Sequence, residues 1–416
     1  MTTGITGPPR GRSERGFSRP PLIGCVPSLE ERKKERMYFD ANATTPLCEA
    51  ARETWLRVSA RHWHNASGLY REAGAAKRIL EEARDQLAEL LGTEPERLVF
   101  TSGATEANHG IITHHLKASG PGRELVLSPV EHPSVREPAL HCGSPLTEMP
   151  LDANGIPDPG WLELHLSASP PVALVSVMAA NNETGILHPW EALQEICRSR
   201  GVPFHCDAAQ WIGKENPSGL GACDFVTGCG HKFGGPKGVG FLLLPEDSRG
   251  FTLSRGGPQE SRRRAGTEDV PGIAAMVAAL EDRLRLPVSE SAPRDAFEAT
   301  LLGALPGTRT VGASAPRLDN TSMILLPRHA NLRWLTRLSQ RGFALSTGSA
   351  CSAGKGTPSH VMAAHGLSPE EMGRVLRASA LPEATSADWQ ALAEAICEVA
   401  AELDAGHRHT GTSLPA

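Results

Sequence analysis

The chain has 416 residues, of which 40% are hydrophobic and 21% charged, and its formal net charge is −5. This is a globular composition with enough apolar material for a core, and no global field draws the chain to nucleic acid or membrane. No apolar run approaches the roughly 20 residues of a membrane helix, and nine cysteines without a CxxC pair are too sparse for a disulfide scaffold, which indicates a reducing cytoplasm.

The two ends of the sequence differ from the middle. Residues 1–36 contain "GPPRGRSERGFSRPP" and the charge run "LEERKKER", so we expect a basic, disordered N-terminal extension. This stretch has no apolar segment of the kind found in signal peptides, and its Gly and Pro residues argue against an amphipathic targeting helix. Residues 406–416, "GHRHTGTSLPA", read as a polar tail.

Helical and strand patterns alternate through the first two thirds of the chain. Apolar residues recur at helical spacing over 75–92, where Gly92 closes the predicted helix. Short apolar runs predict six strands: "RLVFTSG", "ELVLS", "PVALVSVM", "VPFHCDAA", "CDFVTG" and "GVGFLLLP". Helical stretches such as "PWEALQEICRSRG" lie between some of them. This alternation predicts an α/β layer with a mostly parallel sheet.

The pattern changes after about residue 286. The segments "SPEEMGRVLRAS" and "SADWQALAEAICEVAAEL" indicate a second, smaller α+β unit. We see no internal repeat.

The segment 204–240 carries the strongest chemical signal. Asp207 follows a predicted strand, and Lys232 lies between glycine turns that can hold an amine at a fixed place in a cleft. Pyridoxal phosphate chemistry needs such a lysine for a Schiff base and such an aspartate to pair with the ring nitrogen. A surface lysine in a glycine loop and an aspartate that caps a helix would leave the same pattern, so both readings stay open at this point.

Three further strand ends carry polar groups. Ala104 and Thr105 follow Gly103 where a helix begins, and free backbone N–H groups at such a place suit a phosphate. His132 follows another strand, from which it could reach a ligand crevice, although a packed histidine is the simpler reading. Asn182 lies in "AANNETG" directly after the most apolar strand, where an ordinary Asn-rich turn competes.

Eight motifs occur in the order that they have in the cysteine desulfurases, and their set is more specific than any one of them. They are "YFDANATTP", "FTSGATEAN", "VEHPSV", "NNETG", "CDAAQ", "GHKFGGPKGVG", "RRRAGTEDV" and "STGSACSAG". Over about residues 37–403 the chain therefore resembles this family of class V aminotransferase-like, pyridoxal 5'-phosphate-dependent enzymes of fold type I.

The resemblance implies the domain plan. It implies a mostly parallel seven-stranded sheet in a large cofactor-binding domain over residues 42–286. A smaller α+β domain would combine residues 37–41 with 287–405 and carry the catalytic cysteine loop at about 345–360. The loop length is typical of the long-loop branch, which supplies sulfur for iron–sulfur assembly and tRNA thiolation.

The resemblance also implies how the cofactor ring is held. Lys232 matches the Schiff-base lysine and proton shuttle, and Asp207 matches the partner of the ring nitrogen. Gln210 matches the hydrogen-bond donor to the ring hydroxyl. His132 matches the residue that stacks on the ring and moves protons.

The phosphate contacts implied by the resemblance are Thr105, the Ala104 backbone and His231. Thr267 matches a phosphate contact that reaches in from a second subunit, so the resemblance implies a homodimer. Cys229 stands where the family commonly has a Ser or Thr that binds the phosphate, and a thiol is a much weaker donor.

The resemblance implies that the substrate is L-cysteine and that Arg377 and Asn182 bind its carboxylate. It also implies that Asn182 contacts the cofactor. A planar guanidinium suits this bidentate contact. Cys351 matches the nucleophile whose thiolate takes the sulfur as a persulfide, with alanine as the other product. The persulfide then travels to a sulfur-acceptor or scaffold protein, and the glycines around Cys351 suit a mobile arm.

Several alternatives stay open. A selenocysteine lyase, a cysteine sulfinate desulfinase or a specialised sulfur donor for a biosynthetic pathway would share these motifs. A scaffold that binds pyridoxal phosphate without catalysis is the non-enzyme alternative. The other cysteines lack the spacing of a metal site, so we expect no resident metal, although Cys351 could serve as a transient iron–sulfur ligand.

Overall fold

Seven strands form the central sheet, whose order is β2-β8-β7-β6-β5-β3-β4. The computed structural model describes residues 37–120, 122–168, 171–248, 250–286, 290–348 and 358–410. The strands of this sheet are β2 (Leu98–Thr101), β3 (Glu124–Leu127), β4 (Leu146–Glu148), β5 (Val172–Ser176), β6 (Phe204–Asp207), β7 (Phe225–Cys229) and β8 (Gly240–Leu243). Strand β8 pairs antiparallel with both β2 and β7, and the other pairs are parallel. The predicted α/β class with a mostly parallel seven-stranded sheet is confirmed.

Helices cover both faces of this sheet. They are α1 (Glu49–Arg61), α2 (Arg71–Leu91), α3 (Ala104–Ser119), α4 (Pro133–His141), α5 (Pro159–Ala168), α6 (Trp190–Ser199) and α7 (Val270–Arg285). Apolar residues of α1, α2, α6 and α7 pack on one face of the sheet, and those of α3 and α4 pack on the other. Every residue of β5 is buried, as its uninterrupted apolar run predicts.

Helix α2 shows how the sequence sets these elements. Its buried residues, including Leu80, Leu87 and Leu91, recur every three or four positions and face the sheet. Gly92 ends the helix in the left-handed conformation at φ 71°, which glycine adopts without steric cost. The observed helix begins four residues before the predicted segment 75–92, and Gly92 closes it at the predicted position.

The remaining strands form two small sheets. Strands β9 (Arg309–Thr310), β10 (Thr321–Leu325) and β12 (Val375–Ser379) make an antiparallel sheet in the order β12-β10-β9. Strand β1 (Met37–Tyr38) pairs in parallel with β11 (Phe343–Ala344). The first described residues therefore lie against elements from the far end of the chain.

Five helices accompany these small sheets: α8 (Ala292–Ala304), α9 (Asn331–Gln340), α10 (His360–Ala364), α11 (Pro369–Met372) and α12 (Ser386–Thr410). Helices α8, α9 and α12 enclose their own apolar core, which is separate from the core around the large sheet. The domain boundaries expected from the sequence stay a prediction.

Candidate functional site

Two parallel neighbours in the large sheet bring the predicted aspartate and lysine to one edge. Asp207 is the last residue of β6, and Lys232 follows the end of β7 by three positions. Asp207 lies opposite Thr227 of β7 in the strand register. Because ligand crevices of such sheets lie beyond the carboxyl ends of the strands, this edge is the candidate site.

The Asp207 carboxylate is buried and held by two donors. Its Oδ2 accepts a hydrogen bond from Asn108 Nδ2 at 2.8 Å, and its Oδ1 accepts one from the Ala209 main-chain N–H at 3.0 Å. Asn108, fully buried on α3, also accepts from the Thr227 hydroxyl at 2.6 Å and donates to Ser134 Oγ at 2.9 Å. These bonds fix the carboxylate before any ligand arrives.

His132 is joined to the same network. Its Nδ1 accepts the Ser134 main-chain N–H at 3.1 Å and lies 2.8 Å from Ser134 Oγ. A main-chain N–H can only donate, so Nδ1 is the acceptor and the proton of the neutral ring sits on Nε2. Burial lowers the pKa of His132, which nearby Asp207 opposes and nearby Lys232 reinforces. The neutral form is therefore favoured.

The Lys232 amine is pinned by two carbonyl groups. Its Nζ donates to the main-chain oxygens of Asn42 at 2.6 Å and Ala43 at 2.9 Å. Burial is the main cause that lowers the pKa of Lys232, Cys229 acts against it, and Arg377 lowers the pKa further. A lowered pKa increases the share of free amine, the form that attacks carbonyl carbons.

Asn42 joins several strand ends at one point. Its main-chain oxygen accepts from Gln210 Nε2 at 2.8 Å as well as from Lys232. Its side-chain Oδ1 accepts from Lys214 Nζ at 2.7 Å, and its Nδ2 donates to the Asn182 main-chain oxygen at 3.2 Å. The predicted residues Lys232, Gln210 and Asn182 thus meet around a residue that the sequence reasoning did not single out.

The predicted phosphate end lies at the N-terminus of α3. Gly103 precedes the helix with φ 148°. A Cβ on Gly240 of β8 would lie 2.6 Å from the Gly103 Cα, so only glycine at position 240 lets β8 lie this close to the turn. Burial raises the pKa of the Cys229 thiol to about 11, with a hydrogen bond from the Ala104 main chain acting in the opposite sense. The neutral thiol adds no negative charge beside a phosphate.

The remaining predicted phosphate contacts differ in burial. Thr105 is exposed in the first turn of α3, and Thr267 is exposed before α7. His231 Nδ1 lies 3.2 Å from the Thr44 hydroxyl, and burial together with Lys232 and Lys237 lowers the His231 pKa to about 4. His231 is therefore a neutral hydrogen-bonding group at ordinary pH.

Arg377 lies deep in the site, with only 2% of its surface exposed. Its guanidinium donates to Asp40 Oδ1 at 2.6 Å and, through one terminal nitrogen, to the main-chain oxygens of Asn182 and Gly348 at 2.8 Å each. Its buried Nε has no acceptor among the described residues. Arg377 and Asn182, the two predicted carboxylate contacts, therefore lie together, joined through the Asn182 main-chain oxygen.

Cys351 lies outside the described residues, and one described residue on each side of it, Gly348 and Ser359, makes a hydrogen bond beside the site. Gly348 accepts from Arg377, and the Ser359 hydroxyl donates to Glu183 Oε2 at 2.7 Å. A Cβ on Gly348 would lie 3.0 Å from the same Glu183 oxygen. The described residues on the two sides of the Cys351 segment therefore lie close to the same group, Glu183, and Gly348 also contacts Arg377.

The sequence reasoning missed the residues that hold the predicted ones. These are Asp40, Asn42, Asn108, Ser134 and Lys214. Weak signals were available: Asp40 and Asn42 lie in "YFDANATTP", Asn108 ends "FTSGATEAN", and Lys214 follows Gln210 by four positions.

These residues fit pyridoxal phosphate. An amine of lowered pKa, a fixed carboxylate at a strand end and a helix N-terminus opened by Gly103 match the aldehyde, ring nitrogen and phosphate of that cofactor. The unpartnered Arg377 Nε leaves a donor for a substrate carboxylate.

Two kinds of feature are absent from the described residues. No group of three or more His, Cys, Asp or Glu side chains could hold a metal ion. No described helix combines the length and the apolar character that crossing a membrane requires.

Comparison with known proteins gives one family and many relatives. The family model described as Aminotransferase class-V matches residues 37–392. A cysteine desulfurase of Cereibacter sphaeroides is 38% identical over 340 residues, which cover 79% of this chain and 87% of the relative. The cysteine desulfurase NifS of Azotobacter vinelandii is 35% identical over 369 residues, which cover 82% of this chain and 91% of the relative.

A solved structure titled NifS-like protein has the same fold. It superposes with a TM-score of 0.80 at 28% sequence identity, and the match covers 88% of this chain and 99% of the other.

Proposed function

Since this chain belongs to the class V aminotransferase family, and within it to the pyridoxal phosphate-dependent cysteine desulfurases, we propose residue roles for the removal of sulfur from L-cysteine. The observation that carries the assignment is Lys232, whose amine has a lowered pKa and is held beside the Asp207–Asn108–His132 network. When bound, pyridoxal phosphate supplies an electron sink for the bonds at the substrate Cα.

Lys232 moves the first proton. Its Nζ is already directed by the Asn42 and Ala43 carbonyls, and as a free amine it accepts the proton of the substrate Cα. Asp207 keeps its charge close to the ring nitrogen, where its two protein donors prevent it from turning away.

His132 is a proton donor at Nε2. The Ser134 backbone occupies Nδ1, so the Nε2–H is the group available to the reacting centre. Its lowered pKa keeps the ring neutral near pH 7, and a neutral ring does not repel the Lys232 ammonium.

Arg377 binds the substrate carboxylate. Its Nε is free among the described residues, and its bond to the Gly348 oxygen is the contact that a carboxylate would replace. Asp40 holds the opposite edge of the guanidinium and keeps the plane oriented.

Cys351 accepts the sulfur. Its thiolate forms an S–S bond with the substrate sulfur while the substrate C–S bond breaks, and the electron pair stays on the carbon side, which is protonated to alanine. The thiol is three residues from Gly348, a length of chain that reaches at most about 11 Å. A persulfide on Cys351 then passes to a sulfur acceptor.

We propose that a second copy of this chain completes the site. Large apolar side chains are exposed together between residues 55 and 70, with Trp63 71% exposed and stacked on His64, which packs edge-on against Tyr70. Exposed apolar clusters of this kind mark protein interfaces. Thr267 is exposed, as a phosphate contact offered to the partner must be.

The experiment for the sulfur step uses the holoenzyme with L-cysteine and no reductant. We expect alanine release and a gain of one sulfur atom on the peptide that contains Cys351, measured by mass spectrometry. When a reductant is then added to release the persulfide sulfur as sulfide, Cys351→Ser should keep the cofactor absorbance but release almost no sulfide, and Cys142→Ser should behave as the unaltered chain. Sulfide release by Cys351→Ser at the unaltered rate would show that another thiol is the nucleophile. Selenocysteine and cysteine sulfinate in the same assay separate the related activities.

The experiment for the dimer is a measurement of the molecular mass in solution. Light scattering of the holoenzyme should give twice the chain mass, and Trp63→Glu should shift it toward the monomer. Thr267→Ala should weaken cofactor affinity in the dimer. A monomeric, fully active holoenzyme would exclude the proposed contribution of Thr267. A cytoplasmic location remains our proposal, in keeping with the free thiols of the described cysteines.

A further inference from the structure

Lys214 is a second lysine beside the site, and neither the motifs nor the proposed reaction uses it. Its Nζ donates to two side-chain oxygens, Asn42 Oδ1 at 2.7 Å and Gln210 Oε1 at 2.5 Å. Solvent reaches part of the side chain, yet burial around the amine is the main cause that lowers the Lys214 pKa well below its usual value, with Lys232 and Arg377 adding to it. An amine whose surroundings disfavour its charged form is thus kept next to the cofactor-binding lysine.

The orientations of two amide side chains depend on what surrounds them. Asn42 Nδ2 faces the Asn182 carbonyl, which can only accept, so Asn42 Oδ1 must face Lys214. Lys214 Nζ donates to both of its neighbours, so the Gln210 side chain must also turn its Oε1 toward Lys214. Gln210 Nε2 is then left to face the Asn42 main-chain oxygen.

We propose that Lys214 is a positioning residue that fixes the Gln210 side-chain amide so that its N–H groups, and not its oxygen, face the cofactor ring hydroxyl. This rests on the proposed role of Gln210. Gln210 has two N–H donors, and the Asn42 main-chain oxygen occupies one of them. The second is the donor for the ring hydroxyl. Without Lys214, only the Asn42 main-chain oxygen opposes a half-turn of the amide that would present an acceptor oxygen instead.

The expected consequence appears in the titration of the bound cofactor. A donor at the ring oxygen stabilises its anionic form, so losing the donor makes the cofactor hold its proton to higher pH. We expect Lys214→Met to raise the midpoint pH of the cofactor absorbance change by about one unit. Five charged or titratable groups interact electrostatically with Lys214: Lys232, Arg377, Arg283, Cys229 and Glu215. None of them is changed in this variant.

Loss of the Lys214 charge would shift the midpoint in the same direction, so three further variants separate charge from orientation. Lys214→Gln removes the charge but keeps an N–H donor for Gln210, and its midpoint should stay close to that of the unaltered chain. Gln210→Ala should itself raise the midpoint, and adding Lys214→Met to it should change nothing more, because the residue acts through Gln210. Lys77→Met, an exposed lysine of α2, is the matched control.

Absorbance titrations of these five holoenzyme variants, the control included, and of the unaltered holoenzyme carry the test. An unshifted Lys214→Met, equal shifts in Lys214→Met and Lys214→Gln, or additive shifts in the double variant would each overturn the proposal. If Lys214→Met does not fold, Lys214→Ala replaces it, alone and combined with Gln210→Ala. An unshifted single variant, or a shift that persists without Gln210, overturns the proposal. Alanine release by the unaltered holoenzyme tests the proposed function separately, since the titration requires no turnover.

Discussion

One buried arginine with two different glutamate partners allows a sharp stability test. Arg84 on α2 pairs with Glu260, whose side chain is 2% exposed, and with Glu81, whose side chain is 49% exposed. Glu260 also accepts the main-chain N–H of Phe100 in β2 at 2.8 Å. We predict that Glu260→Ala strongly destabilises the chain and that Glu81→Ala hardly does.

The magnitude follows from what each deletion leaves behind. Removing one partner of a buried ion pair costs about 3–5 kcal/mol, and Arg84 keeps the Leu98 carbonyl and Glu81, which favours the lower end. The Phe100 N–H loses its acceptor, which adds about 1 kcal/mol. Glu260→Ala should therefore cost about 4 kcal/mol of unfolding free energy, whereas the exposed pair with Glu81 contributes about 0.5 kcal/mol.

Urea unfolding followed by circular dichroism measures both variants under the same conditions. Equal urea midpoints for the two variants would refute the reasoning, because burial would then not decide the strength of the pair. Glu260 also begins three successive residues with positive φ (47°, 54° and 68°), in the segment that leads to Thr267. Glu260→Ala should therefore weaken cofactor affinity too, and equilibrium dialysis measures this.

Three further predictions concern the site and its pH response. Lys232→Ala should lose the visible absorbance of the bound cofactor, because no other amine is expected to form the linkage. Ser134→Ala should lower kcat about fivefold with the cofactor still bound, because one hydrogen bond to His132 is lost. Burial lowers the His205 pKa to about 4. Below pH 6.5 the unfolded chain therefore binds a proton at this histidine that the folded chain does not bind. The stability that is present above pH 6.5 is lost as the pH falls toward 4. His205→Gln should reduce this loss by about 3 kcal/mol, measured from urea midpoints at several pH values.

Matched exposed residues serve as controls for these three variants. Lys237→Ala, Ser102→Ala and His141→Gln make the same chemical changes at exposed positions and should leave each readout unchanged. An absorbance band that survives Lys232→Ala would mean that the wrong lysine is assigned. An unchanged kcat in Ser134→Ala would remove the hydroxyl from the proton-holding network. An acid-induced loss equal in His205→Gln and in the unaltered chain would assign that loss to other groups.

Most strands of the large sheet were predictable because short, mainly apolar segments mark them. Strand β5, buried along its whole length, and helix α2, with its apolar repeat, left clear patterns. Strand β4 did not, since Leu146–Glu148 is a short edge strand with partly exposed residues, and no apolar pattern marks it. Its place is set by pairing with β3.

The chemistry of the site was predictable where one residue type carries one task. The sequence indicates Lys232 and Asp207 by their glycine turns and strand ends, and the structure brings both to the same edge of the sheet. The residues that orient Lys232 and Asp207 were not predictable from the sequence. Asn42 and Asn108 act through contacts between positions more than 90 residues apart, such as Asn108 with Asp207, and no local spacing can report such contacts.

The pairing of β1 with β11 has a consequence for the order of events on the ribosome. Met37 lies opposite Phe343, a separation of 306 positions (343 − 37), and Asn42 lies a few residues beyond this pair. At usual synthesis rates of 5–20 residues per second, the partner strand leaves the ribosome about 15–60 s after β1. For that interval Asn42, around which Lys232, Gln210 and Lys214 gather, belongs to a segment whose neighbouring strand does not yet exist. A nascent chain arrested before residue 343 should therefore have the large sheet but bind the cofactor poorly.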